Sequence, residues 1–483
     1  MPTLSALPTK HAPLLLSALL LPLILPLFLP LPSALAAPDS TTEAALAGKI
    51  GQTRPELVRL LADISPARIE QHIRQLVSFH TRHTASDTES ASTGIGAARR
   101  AIKAELERCG AGQLTVRFDS HIEPAGPRLA EPTEIVNVVA TLPGRMAGQA
   151  GRERIYVVSG HYDSRASDVN DATSFAPGAN DDASGTAAVI EMACVTAKAR
   201  AQGSLPPFDA TLVFMAVAGE EQGLFGAAHY AKRAREQGQN IAGMLTNDII
   251  GSSRADDGRI DASQVRLFAE GIAAKAELPE AQRKLLASGG ESDSATRQLA
   301  RHVKEVGERY LPGFGVTLIH RRDRYLRGGD HIPFLEQGYP ALRLTEPNED
   351  FRHQHQDVRL EHGVQLGDLP EFVDFDYVAK VARVNLAALV TLAMAPAAPV
   401  GVKMHTEQLE NDTRLSWQAS PEPDLAAYRI VWRDTTASVW QGSVLVGKVT
   451  DYRIKGKSKD NYLFGVQAVN RDGYVSVASY PLP

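Results

Sequence analysis

The stretch that decides the fold is IYVVSGHYDS, Ile155 to Ser164. A short apolar run rich in β-branched residues reads as a buried strand, and this one stops at His161, with Asp163 two positions on. Three more runs of the same kind follow: Ala210–Val217, Met244–Asn247 and Ala341–Thr345. Longer segments of helical period separate them, Thr186–Ala201, Ala227–Gln237 and Tyr377–Met394. This alternation predicts an α/β fold: a mixed, mostly parallel sheet covered on both faces by helices, a three-layer α/β/α sandwich. Thr115–Asp119 and Ile135–Leu142 read as further strands at one edge.

Open α/β sheets gather ligands beyond the carboxyl ends of their strands, and chemistry-bearing residues concentrate there in this sequence. His161 ends the first run, and in an H-x-D pair the carboxylate of Asp163 can orient the ring toward a metal. The loop PGANDDASG (177–185) places Asp181 and Asp182 before a helix. One of them, or Ser184, can cap that helix, and Asp181 is expected to face the site. GEEQGLFGA (219–227) opens with Glu220 and Glu221, adjacent carboxylates that repel unless a cation separates their roles. GMLTNDIIG (243–251) carries Asp248 among apolar neighbours, where a carboxylate needs a partner. PALRLTE leads into FRHQHQD (351–357), which offers His353, His355 and Asp357.

Composition narrows the chemistry. The chain has 483 residues, 43% hydrophobic and 22% charged, with a net charge of −5, which gives no basic stripe for nucleic acid. Only two cysteines are present, Cys109 and Cys194, so a metal must be held by His, Asp and Glu. Two free thiols and one disulfide are equally compatible with their spacing. Three anionic ligands, Asp181, Glu221 and Asp248, with two imidazoles would suit two zinc ions.

The ends read differently. Lys10 precedes an uncharged, Leu-dominated run that closes on Ala34-Leu35-Ala36, so residues 1–37 are expected to be a cleaved export signal and the protein secreted or periplasmic. The prolines at 22, 26, 30 and 32 argue against a membrane anchor, and no membrane association is expected after cleavage. Residues 38–65 read as a leader or propeptide. Met394 to Val400 reads as a linker, dividing a large α/β unit of residues 66–395 from residues 396–483, which have short alternating strands at sandwich-like spacing. Trp417, Tyr428 and Tyr462 there resemble core positions of a fibronectin type III domain. Such a domain would either pack on its neighbour or contact a surface or polymer.

Together GHYDS, PGANDDASG, GEEQGLFGA, NDIIG and the terminal H-x-x-x-D resemble the co-catalytic zinc aminopeptidases of peptidase family M28. The resemblance implies a phosphorylase/hydrolase-like fold and an exopeptidase that removes N-terminal residues from peptides or proteins. It implies that His161 and Asp248 hold one zinc, Glu221 and His353 the other, with Asp181 bridging. Glu220 would be the general base, Asp163 and Asp357 would support the histidines, and the Asp181–Asp182 peptide would be cis. The last ligand of the family stands four residues before an Asp, which favours His353, with His355 the alternative. A single-zinc acyltransferase of the glutaminyl-cyclase type, or a carboxypeptidase, is the competing activity on the same scaffold. The Ser/Gly-rich and helical interval between Asp248 and His353 is expected to form a wall or lid.

Overall fold

The computed structural model describes residues 40–273 and 277–483, so the expected export signal lies outside the described residues. Eight strands form the central sheet: β1 (Thr115–Glu123), β2 (Thr133–Leu142), β3 (Ile155–His161), β4 (Thr211–Val217), β5 (Ile241–Asn247), β6 (Gln264–Ala269), β7 (Gly315–Ile319) and β8 (Ala341–Thr345). Their spatial order is β1-β2-β4-β3-β5-β8-β6-β7. β3 pairs in parallel with β4 and β5, and β5 with β8. The β1–β2, β2–β4 and β6–β8 pairs are antiparallel, which makes the sheet mixed.

Strand geometry sends successive side chains to opposite faces, and both faces of this sheet are covered. On β3, Tyr156 and Val158 join a core shared with helices Ala183–Ala201 and Phe375–Met394. Ile155 and Val157 join a second core with Ala227, Tyr230 and Ala231 of helix Phe225–Glu236. β3 and β4 are buried along their whole length, which is why they read as continuous apolar runs rather than alternating ones. Helix Phe375–Met394 is long and apolar enough to cross a membrane, yet it lies inside this core.

The interval between Asp248 and His353 is largely sheet and core, and its residues 324–328 form part of the cleft wall. Val265 and Leu267 of β6 and Val316 of β7 are fully buried, and helix Ala295–Tyr310 packs its Leu299 and Val303 into the main core. The described part of the leading segment, from residue 40, packs as part of the fold. Leu57, Leu60, Leu61 and Ile64 sit in the main core, and Arg383 donates to the carbonyls of Leu61 and Ile64. Burying side chains of this size contributes roughly 1.5–3 kcal/mol each, so removing the segment would strip the core.

The cysteines are bonded to each other, joining helix Gly94–Cys109 to helix Ala183–Ala201. Beyond residue 400, two three-stranded antiparallel sheets face a common core that includes Leu415, Trp417, Tyr428, Ile430 and Phe464. This part does not hang free, since residues 40–483 form one compact unit. Arg154 pairs with Glu422 at 2.7 Å, and Asp293 is gripped by Arg301 from the α/β part and Arg433 from the β part.

Candidate metal centre

Four strand ends converge on one edge of the sheet. β3 delivers His161, the turn after β4 delivers Glu220 and Glu221, and Asp248 follows β5. The loop after β8 delivers His355, and Asp181 comes from the loop that starts helix Ala183–Ala201. The start of that helix depends on two glycines. A Cβ on Gly160 would fall 2.4 Å from the Gly185 carbonyl carbon, and one on Gly185 would fall 2.0 Å from the Asn247 oxygen. Without side chains there, the helix begins directly against β3 and β5, and Asp182 caps it. Its Oδ1 accepts from Gly185 N at 3.0 Å, and its Oδ2 accepts from His161 N at 2.9 Å. Asp182 is thereby occupied, and Asp181 is left to face the cleft. The Asp181–Asp182 peptide is cis, and so is Asp248–Ile249.

The side chains form two triads, His161 with Glu220 and Asp248, and Asp181 with Glu221 and His355, the donor atoms within each lying no more than 4.8 Å apart. Asp181 touches both. Its Oδ1 is 3.1 Å from His161 Nε2, and its Oδ2 is 3.0 Å from His355 Nε2. His355 Nε2 also lies 3.1 Å from Glu221 Oε2. The expected ligand His353 is not in this cluster. Its ring stacks on Phe372 with centroids 3.7 Å apart, and its Nδ1 is 3.7 Å from Asp350. His355, in the left-handed region at φ 53°, turns the other way, into the cleft. Asp357 also departs from expectation: it supports neither histidine, and its carboxylate accepts from Ser167 N at 3.0 Å, tying two loops together.

Several groups position these side chains. The Asp163 carbonyl accepts from His161 Nδ1 at 3.1 Å, which aims Nε2 at the cluster, and its Oδ2 accepts from Glu221 N at 3.0 Å. Sequence reasoning missed the rest. Arg343 on β8 is fully buried, donates from Nε to the Asp248 carbonyl at 2.6 Å, and stands 2.9 Å from Asp248 Oδ1. Asp368 accepts from the backbone N–H groups of Asn180 and Asp181, and Gln354 Nε2 donates to Asp181 Oδ2 at 3.0 Å. Arg82 is buried and clamps the carbonyls of Tyr162, Pro177 and Gly178 around the Asp181 loop. An arginine among short apolar runs carries no motif, and only its tertiary partners give it a role.

The donor set fits a divalent metal. Burial pushes the Glu220 carboxyl well above its ordinary range. Burial alone would make both imidazoles neutral. The surrounding carboxylates override it, holding His161 well above its usual value and His355 at about 10. His161 Nε2 and Glu221 Oε1 are buried with no aligned hydrogen-bond partner. Orphaned donor atoms, one in each triad, amid surplus negative charge are stabilised by cations. With imidazole and carboxylate donors and no thiolate, zinc is an acceptable occupant.

Residues 137–362 match peptidase family M28. A protein of Leptosphaeria maculans described as a probable zinc metalloprotease is 47% identical over 441 residues, covering 90% of this chain and 99% of that protein. One from Pyricularia oryzae with the same description is 46% identical over 436 residues, covering 89% and 84%. Among solved structures, LapA and LapB from Legionella pneumophila each align over 71% of this chain, and over 78% and 76% of their own, at 17% identity and a TM-score of 0.50. At that identity the likeness speaks for the fold. The chain belongs to peptidase family M28 and is a zinc metalloprotease.

Proposed function

We propose that this hydrolase is an exported aminopeptidase with two zinc ions. His161 and Asp248 would hold one ion, Glu221 and His355 the other, and Asp181 would offer one oxygen to each. The carrying observation is that Asp181 lies 3.1 Å from His161 and 3.0 Å from His355 through its two different oxygens. Bound zinc supplies Lewis-acid polarisation of the scissile carbonyl and a lowered pKa for water.

The chain's own residues do the rest. Glu220 is buried beside the cluster, its Oε2 4.0 Å from His161 Nε2, and it coordinates nothing in this assignment. It is placed to take a proton from the attacking water and return it to the leaving amine. Arg343 locks Asp248 from behind, and the Asp163 main chain fixes the His161 ring. The exopeptidase reading rests on the resemblance of the five strand-end motifs to the aminopeptidases of the family. Export rests on the leader sequence alone, and the β unit beyond residue 400 is proposed to be fibronectin type III-like on the strength of its Trp417 and Tyr428 core.

The test is a panel of aminoacyl-p-nitroanilides and their N-acetylated counterparts, assayed with and without chelator alongside metal content. Cleavage of free-amine substrates only, lost with chelator, at two zinc ions per chain is the expected result. Equal cleavage of the N-acetylated series would overturn the aminopeptidase reading, and one ion per chain would overturn the two-zinc assignment.

A further inference from the structure

The cleft above the cluster encloses about 400 Å³, and its mouth is unusually cationic for a site whose floor is acidic. Four arginines line it: Arg128, Arg165, Arg324 and Arg327. They come from separate places in the chain, the β1–β2 connection, the loop after β3 and the segment after β7. Among the described residues, the only apolar side chains with them are Leu224 and Leu326. A cleft built for an aliphatic or aromatic side chain would be lined the other way round.

Two of these arginines have no carboxylate partner among the described residues. Arg128 donates from Nη1 to the Glu221 carbonyl at 3.1 Å, and Arg165 donates only to the carbonyls of Ala166 and Ser167. Neither forms an ion pair with a carboxylate among the described residues. Arg324 and Arg327 converge on one oxygen of Glu349, at 3.0 and 2.6 Å, while Arg266 takes the other at 3.1 Å. Arg324 also pairs with Asp323 at 3.2 Å, so these two are partly compensated and Arg128 and Arg165 are the pair without a carboxylate. Arg128 also lines a neighbouring groove of about 650 Å³, where the carboxylates Asp87, Glu131 and Glu134 stand, so the excess of positive charge is confined to the cleft itself.

We propose that the cleft mouth is a carboxylate-binding subsite in which Arg128 and Arg165, backed by Arg324 and Arg327, select peptides bearing an anionic group within a residue or two of the scissile bond. Guanidinium presents a planar donor fork that matches a carboxylate, and it stays charged at every working pH. The carboxylate can come from an acidic side chain or from the C-terminus of a short peptide. This inference rests on the peptidase reading of the same site, and its test is built so that the two can fail separately.

Binding is measured calorimetrically on the zinc-loaded, full-length Glu220→Gln protein, with two matched pairs of probes. Aspartate against asparagine reads a side-chain carboxylate, and alanyl-alanine against its C-terminal amide reads a terminal one. The acid of at least one pair should bind about tenfold more tightly than its amide, the gap narrowing as salt rises. In the Arg128→Gln/Arg165→Gln background that ratio should fall toward one, whatever the absolute affinity. Ratios near one in both pairs overturn the subsite, and so does a preference that survives the double variant. Because binding is read without turnover, a wild-type enzyme that cleaves no peptide would sink the peptidase assignment and leave this result standing on its own. With active enzyme, the same ratios in kcat/KM serve as the second readout.

Discussion

Two buried charge clusters sit in this molecule, and they treat their carboxylates differently. At the junction of the α/β and β parts, Asp293 is fully satisfied. Its Oδ1 accepts from Arg301 and from Gln298 Nε2 at 2.9 Å, and its Oδ2 accepts from Arg433 at 2.7 Å. At the edge of the large sheet, carboxylates from Asp181, Glu220, Glu221 and Asp248 crowd around two imidazoles, and buried donor atoms are left without partners. A structural charge is paired in place, whereas a site that must accept metal and substrate keeps its donors free. The frustration is local, and the rigid sheet around it holds the geometry.

The contrast can be attacked from its strongest point first. Glu220→Gln should keep the fold and the zinc content while kcat falls by about 10²–10⁴, because only proton transfer is removed. Activity within a few-fold of the parent would take Glu220 out of that role. Replacing Asp293 with Ala should act in the opposite currency. Two buried guanidiniums lose their partner, a change that typically costs about 3–5 kcal/mol, read as a drop in Tm with turnover per folded molecule preserved. A catalytic defect without loss of stability there would break the division between the clusters.

Smaller effects sharpen it. The Cys109→Ser/Cys194→Ser pair opens an 85-residue separation and should lower stability by about 2–4 kcal/mol, with metal content unchanged once folded. His355→Ala should lose zinc from the Asp181–Glu221 side, by more than the roughly 10–100-fold in affinity that loss of an outer partner costs. His353→Ala should retain zinc and lose only its stacking on Phe372, about 0.5–1.5 kcal/mol. Metal analysis of the two variants side by side decides between the histidines, and the reverse pattern would restore His353 as the ligand.

Much of the sheet was legible because fully buried parallel strands are forced to be apolar throughout. β3, β4 and β8 announce themselves as runs bounded by Gly, Pro or charge. β6 and β7 did not, since Arg266 and Thr317 interrupt their apolar pattern and both lie toward the sheet's far edge, where one face is less covered. The packing of the leading segment is illegible in the sequence for a related reason. Its helices expose charged faces, and the buried stripe of Leu57, Leu60, Leu61 and Ile64 acquires meaning only against helix Phe375–Met394 and its neighbours.

Sequence alone determined the donor chemistry: two cysteines exclude a thiolate site, and strand ends rich in His, Asp and Glu specify where nitrogen and oxygen donors collect. Tertiary structure alone decided which histidine faces the cleft. His353 and His355 share a loop and a composition, and one is captured by the Phe372 ring while the left-handed backbone at the other swings it toward Asp181 and Glu221. It alone also revealed the arginines, whose roles depend on carbonyls and carboxylates brought close from distant parts of the chain. Local pattern records what a residue can do, and contact across the fold determines which residue does it.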